Sequence, residues 1–275
     1  MKNIWVPLSG QIAQQNKIET IANNVANANT AGFKKDKLVF KEYLTALEKG
    51  SDEIDLPRKE WSPADFYRTQ GAENSQVRVD GSFTEHTQGE LVPTGAPLDL
   101  GLQGDGFFEV LAPNGVRFTR NGAFTISQDG ELVTENGYKL LAETNQAAAG
   151  TDTNTVLNPA ERVIKIPNAK LSIANEGQIF AGDVMIGKIS VVEFKDIHAL
   201  KKEGNSLYVN NKTENILTEP SKTLVHQGFI EQSNVNSVEE MAELIKAHRH
   251  FESIQKAINA YDNITGRAVN DIAKF

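Results

Sequence analysis

Histidines and carboxylates are the residues here that could do metal or acid–base chemistry, and their spacing argues against both. The five histidines are His86, His198, His226, His248 and His250. The one close pair, His248 and His250, stands two residues apart in a helical run, which turns the rings about 200° from each other and keeps them from clamping one metal ion. There is no cysteine, so thiolate metal sites and disulfides are excluded. No HExxH or nucleophile-elbow pattern occurs, and the aspartates and glutamates are scattered through stretches where solvated surface is the default. Gly101, Gly104 and Gly106 approach the spacing of a nucleotide cradle, but a strand pattern follows them where the cradle needs a helix. No catalytic, metal or cofactor-binding residue is expected.

Amide chemistry is what the sequence does concentrate. Asn23, Asn24, Asn27 and Asn29 cluster toward the end of an apolar-striped run from Ile4 to Phe33. Side-chain amides both donate and accept hydrogen bonds and are poor filler for a solvated helix face, so they are expected to bond to neighbouring chains. The element that must position them is a helix. Ile4, Leu8, Ile12, Ile18, Ala22 and Val25 recur mostly at steps of three and four, with Ile21 and Ala26 widening the stripe. Gly32 suits a left-handed cap and Phe33 the residue that folds back on the last turn, which sets the helix end near Thr30 or Ala31.

A second run, Ser237 to Phe275, opens with the capping box Ser237-Val238-Glu239-Glu240. Val238, Met241, Ile245, His248, Phe251, Ile254, Ile258, Tyr261, Ile264, Ala268, Ile272 and Phe275 read as one stripe, which makes His248 a packed or amide-paired residue of a helix bundle rather than a catalytic one. At about 1.5 Å per residue the two helices span roughly 40 Å and 55–60 Å, well beyond the usual globular helix. Stripes of that length at both ends suggest that the ends meet in a coiled coil; the plainer alternative packs both helices on the central domain.

Between them, Leu38, Phe40, Tyr43, Leu44 and Leu47 give a short helical pattern among mixed charges, followed by a loop around Gly50 to Pro57. From Val77 onward the patterns are those of strands. Asn114-Gly115, Asn121-Gly122, Asp129-Gly130 and Asn136-Gly137 each favour a tight hairpin turn, and strand-length segments separate them, so an antiparallel meander is expected. After a small, polar loop at Asn145 to Pro159, strands resume at Val163 to Pro167, Leu171 to Ile173, Gln178 to Phe180 and Lys188 to Phe194, with early and late segments pairing. Asp99 could anchor the turn into its strand by accepting backbone hydrogen bonds. The reading is an α+β chain: core helix 1–33, linking arm 34–76, mostly antiparallel β domain 77–225, and core helix 226–275, the two helices pairing as a coiled coil.

Two terminal blocks and four central ones then carry a resemblance in the right order. Ala22 to Phe33 (Ala-Asn-Asn-Val-Ala-Asn-Ala-Asn-Thr-Ala-Gly-Phe) is followed by Gln88 to Gly95 and Pro97 to Leu100. Next come Gly104 to Phe108 and Phe118 to Phe124, and Gln232 to Asn236 leads into the last helix. Together they resemble the bacterial flagellar rod and hook proteins across nearly the whole chain. The resemblance implies a non-enzymatic structural subunit of the flagellar basal body, serving torque transmission and motility. It implies helical polymerisation with itself and with paralogous rod subunits. Export without a cleaved signal through the flagellar type III apparatus, and a place in the rod across the periplasmic space, are implied with it. On this reading Leu8, Ile12, Ile18, Ala22, Asn23, Asn24, Val25, Asn27, Asn29, Asn234, Asn236, Met241, Ile245, Phe251, Ile258 and Tyr261 face other subunits. Ser9-Gly10-Gln11-Ile12 lacks the Gly-Met pair usual in the distal rod protein, and Gln255-Lys256-Ala257-Ile258 is more similar to the proximal rod paralogue.

Composition agrees with that class. The net charge of −8 without a basic stripe argues against nucleic acid. No stretch reaches the roughly 20 apolar residues of a membrane span, and Gln11, Gln14 and Gln15 interrupt any secretory signal. A secreted adhesion or carbohydrate-binding module is the alternative, but Trp5 and Trp61 both fall outside the β region where such a site needs exposed aromatics.

Overall fold

A computed structural model describes residues 5–45, 74–143, 158–166, 171–218 and 221–272. Leu47, the expected loop around Gly50 to Pro57, most of the one at Asn145 to Pro159, and Phe275 lie outside them. The chain forms two units: Met1–Val25, Asp36–Phe83 and Ser237–Phe275 in one, Ala26–Lys35 and Thr84–Asn236 in the other.

The first unit contains helix α1 (Trp5–Ala26) and helix α2 (Ser237–Ile272). α1 stops short of Thr30, because the chain turns at once: the Thr30 N–H bonds the Asn27 carbonyl at 3.1 Å and the Phe33 N–H bonds the Thr30 carbonyl at 3.3 Å. Asn24 holds this exit. Its Oδ1 accepts from the Asp36 N–H at 3.0 Å and its Nδ2 donates to the Asp36 carbonyl at 2.9 Å, so one side chain pairs with backbone as a strand neighbour would. Gly32 does adopt a positive φ of 66°, but well past the helix.

Contacts between the helices run in opposite directions along them. Asn24 Nδ2 lies 3.4 Å from Glu240 Oε2, Lys17 Nζ lies 3.7 Å from Glu243 Oε2, and a methyl at Gly10 would stand 3.9 Å from Ile254 Cδ1. The helices are therefore antiparallel neighbours, and small residues on α1 let them approach. Asp36–Thr45 is a strand paired with Asn74–Thr84, which corrects the short helix expected after Lys34. Val39, Phe40 and Tyr43 favour an extended chain, and the partner that realises the preference lies some thirty residues away, where local periodicity cannot see it.

In the second unit, strands Phe107–Ala112, Gly115–Thr119, Phe124–Ile126, Leu132–Thr134 and Lys139–Leu140 fall where the Asn-Gly and Asp-Gly pairs place them. Gly115, Gly130 and Gly137 take φ of 106°, 74° and 82° at their turns. Asn121-Gly122 behaves differently and breaks the meander. The sheet order runs Lys201–Gly204, Leu207–Val209, Gly115–Thr119, Phe107–Ala112, Lys139–Leu140, Leu132–Thr134, Phe124–Ile126, so the strands flanking Gly122 are not neighbours. Gly122 meets other backbone instead: the Leu100 N–H donates to its carbonyl at 2.9 Å, and a Cβ there would fall 1.7 Å from the Leu100 oxygen.

Early and late segments pair as expected. Leu100–Gln103 pairs with Leu224–Gln227, and Leu91–Pro93 with Phe229–Glu231, both antiparallel. A three-stranded antiparallel sheet, Leu171–Ile173, Gln178–Ala181 and Val184–Lys188, completes the set, whereas Val163 and Lys165 form only isolated bridges to Leu141 and Glu131. Leu102, Phe108, Val110, Leu140, Ile179 and Ile189 form the centre of the core. Asp99 accepts from the Thr94 hydroxyl at 2.5 Å rather than from a backbone N–H; its main chain does the anchoring, with the Gly228 N–H bonding its carbonyl at 2.7 Å.

Candidate assembly interface

On α2 the apolar stripe read from the sequence separates into two lines. Glu240, Leu244, Ala247, Phe251, Ile254 and Ile258 are its less exposed positions, at alternating steps of four and three, the period of a coiled-coil seam. Met241 and Ile245 stand off this line and are 50% and 56% exposed. His248 is exposed as well and lies with Met241 and Ile245 on the outer side. Every residue from Tyr261 to Asn270 is exposed, with Tyr261 at 58% and Ile264 at 65%.

α1 divides likewise. Ala13, Ile21 and Asn24 are its buried residues, while Leu8, Ile12 and Ala22 of the stripe are exposed and Ile18 and Val25 half-buried. Ile12 also borders a shallow cleft with Ser9, Ala13, Asn16, Val77 and Val79.

The expected amide contacts divide too. Asn24 and Asn234 spend their side chains inside the chain. Asn234 Oδ1 accepts from the Lys35 N–H at 2.8 Å, and its Nδ2 donates to the Glu85 carbonyl at 2.8 Å. Asn23, Asn29 and Asn236 lie at the surface, and Asn27 is half-buried.

Sequence reasoning missed a dense buried polar site. Lys34 and Glu231 are both fully buried, with Nζ 2.5 Å from Oε1. Arg120, also buried, places Nη1 3.3 Å from Glu231 Oε2 and donates from Nη2 to the Gly104 carbonyl at 2.6 Å. Lys34 Nζ also donates to the Thr87 carbonyl at 2.8 Å, and the Gly89 N–H to Glu231 Oε1 at 3.0 Å. Gly32 closes the arrangement: its N–H bonds the Glu231 carbonyl at 2.8 Å, and a Cβ there would lie 2.4 Å from the Arg120 carbonyl carbon.

Two cations thus share one buried carboxylate. Burial holds the Lys34 ammonium below its usual range against the opposing pull of Glu231, and lowers Arg120 against Glu231 and Asp105. Arg120 recovers part of its solvation by lying over the Phe107 ring, 4.8 Å from the centroid. This junction draws together the sequence blocks around Phe33, Gly89, Gly104, Arg120 and Asn234. The available signal was Lys34 standing directly after Gly32-Phe33 and Arg120 lying within the Phe118 to Phe124 block.

Among the described residues no group of three or more His, Cys, Asp or Glu could hold a metal ion, and no helix is long and apolar enough to cross a membrane. Helices that offer apolar surface, joined to a β unit that clamps their leading segments with buried charge, define a structural subunit built for assembly. Residues 6–34 match the family "Flagella basal body rod protein", 101–181 the "Flagellar hook protein FlgE/F/G D1 domain", and 226–271 the "Flagellar basal body rod FlgEFG protein C-terminal". The flagellar basal-body rod protein FlgF of Caulobacter vibrioides is 31% identical over 99% of this chain and 98% of its own length. The rod proteins FlgG of Bacillus subtilis, 31% identical over 98% of both chains, and of Buchnera aphidicola from Acyrthosiphon pisum, 30% identical over 95% of this chain and 96% of its own, are similar throughout. The chain belongs to the flagellar basal-body rod protein family and is a structural subunit of the bacterial flagellar rod.

Proposed function

We propose that copies of this chain, with paralogous rod subunits, stack helically through their terminal helices, and that the resulting coiled-coil layer carries the torque of the rod. The observation that carries the reading is apolar surface left in water on both helices: Ile12 at 53%, Met241 at 50%, Ile245 at 56% and Tyr261 at 58% exposure. At about 25 cal/mol per Å² such surface favours burial against another chain. Heterologous contacts that do not close on themselves generate a filament. On the family likeness, the subunit passes through the flagellar type III export apparatus without a cleaved signal and occupies the rod across the periplasmic space. The lack of a Gly-Met pair at Ser9-Gly10-Gln11-Ile12 supports a proximal position in the rod.

Because the chain has no cysteine, the variants Ile12→Cys and Met241→Cys, singly and together, report on contacts without background. Oxidation of purified basal bodies is expected to give cross-linked oligomers that the monomer does not form. Swimming cells whose basal bodies give no oligomer with any of these variants would defeat the helix-packing assignment. Deletion of the gene is expected to leave basal bodies without a complete rod and without a hook, and truncation at the base of the rod, rather than near its tip, is the outcome a proximal position requires.

A further inference from the structure

His86 sits in the strap that holds both linker segments of the β unit. Glu85, before it, donates its N–H to the Lys35 carbonyl at 2.8 Å and accepts from Asn234 Nδ2; Thr87, after it, accepts from Lys34 Nζ at 2.8 Å. Residues 85–87 therefore grip the segment that follows α1 and the segment that precedes α2. The His86 ring packs among Phe107 at 6.0 Å, Tyr208 at 5.5 Å and His198 at 6.0 Å between centroids. Its Nδ1 is buried and has no hydrogen-bond partner, so an added proton there would meet no acceptor.

The charges facing it are nearly all of one sign. Lys34 comes from the linker, Arg120 from the loop after the Gly115–Thr119 strand, Lys202 from the Lys201–Gly204 strand and His198 from the short helix Ile197–Ala199; each disfavours a charged His86. Lys202 is itself part of the grip, donating to the Lys34 carbonyl at 2.9 Å and lying 3.8 Å over the Phe33 ring. The compensating carboxylate, Glu231, is already shared by Lys34 and Arg120.

We infer that His86 makes this junction an acid-sensitive latch: its protonation adds another cation to the cluster and releases the 27–35 and 231–236 segments from a β core that stays folded. Burial, followed by these neighbouring cations, lowers the His86 pKa from 6.5 to about 4. Sign and window follow from linkage. The released state takes up the proton near 6.5 and the latched state only near 4, so the latch is at full strength above pH 6.5 and weakens as pH falls from 6.5 toward 4. Most carboxylates titrate below about 4.5, so the upper part of this window reports on histidine.

The test is amide hydrogen exchange on the purified full-length chain between pH 7 and 4.5, corrected for intrinsic rates, alongside an NMR titration of the imidazoles. Opening of segments 27–35 and 231–236 is expected to rise at least about tenfold over that range, while the Phe107–Ala112 strand stays protected. His86→Gln is expected to remove most of this pH dependence, and His198→Gln to leave most of it. Equal pH dependence in His86→Gln and the unaltered chain would overturn the latch, as would parallel loss of protection in the core strand. If His86→Gln does not fold, the titration of the unaltered chain still decides: a His86 midpoint at or above 6.5 overturns the proposal, and one well below it, with segment opening in step, sustains it.

Discussion

Compare Ile245 with Lys34. The isoleucine, on a helix made to bury apolar residues, is 56% exposed, while the lysine, whose charge favours water, is fully buried beside Glu231. In the helical unit the buried residues of α2 include a glutamate, Glu240, and an alanine, Ala247, and larger apolar side chains point outward. In the β unit Phe107, Phe108, Leu140 and Tyr208 are fully enclosed, and the charge inside is paired. The difference shows two uses of one chain. The β unit completes its own core and spends buried charge on fixing where its linkers dock, a use for which ion pairs suit better than for raw stability. The helical unit leaves large apolar side chains in water, the surface that the proposed helical stacking would cover.

The sharpest way to break this contrast is Glu231→Gln. It leaves Lys34 and Arg120 as two buried cations with no carboxylate hydrogen-bonded to them, only the field of Asp105, and a loss of about 3–5 kcal/mol in urea unfolding is expected. A loss under about 1 kcal/mol would mean that the junction is wet and not the clamp described. Gly32→Ala comes next. The added Cβ meets the Arg120 and Asn121 backbone at 2.4 Å in a left-handed conformation, which costs about 3 kcal/mol and undocks the linker; increased proteolysis within 27–35 would register it.

Asn24→Ala probes a well-buried polar contact of the helical unit. Removing both of its bonds to Asp36 is expected to cost about 1–3 kcal/mol, visible as faster exchange in the Asp36–Thr45 strand. Smallest on the monomer is Ile245→Ser. Its unfolding midpoint is expected to move by no more than about 0.5 kcal/mol equivalent, while incorporation into basal bodies falls. Were Ile245→Ser to destabilise the monomer as much as Glu231→Gln, the outer line of α2 would be an internal core and the comparison would collapse.

Much of this was legible in advance. The helices were announced by their periods, and the hairpins at Gly115, Gly130 and Gly137 by turn chemistry that only positive backbone angles satisfy. Gly122 carried the same local signal and does something else, because its neighbourhood is set by Leu100 and not by adjacent residues. The Asp36–Thr45 strand was read as helix for a related reason: its apolar residues fit either period, and its partner strand decided. Within this chain the stripe on α2 splits, with Met241, Ile245 and His248 on its exposed edge, because a stripe along one helix cannot say which of its edges another helix will cover.

Taken alone, the sequence determined the two terminal helices and most of the strands, which residues are apolar enough to seek cover, and the class of protein, since these follow from neighbours within a few positions or from the order of blocks. The tertiary structure decided which side of each helix is covered, that the sheet is not a simple meander, and that Lys34 meets Glu231 across a sequence separation of 197. The physical reason is range. Periodicity and turn preference act through bonded neighbours, whereas a buried ion pair is assembled by the packing of segments whose spacing along the chain carries no record of their contact.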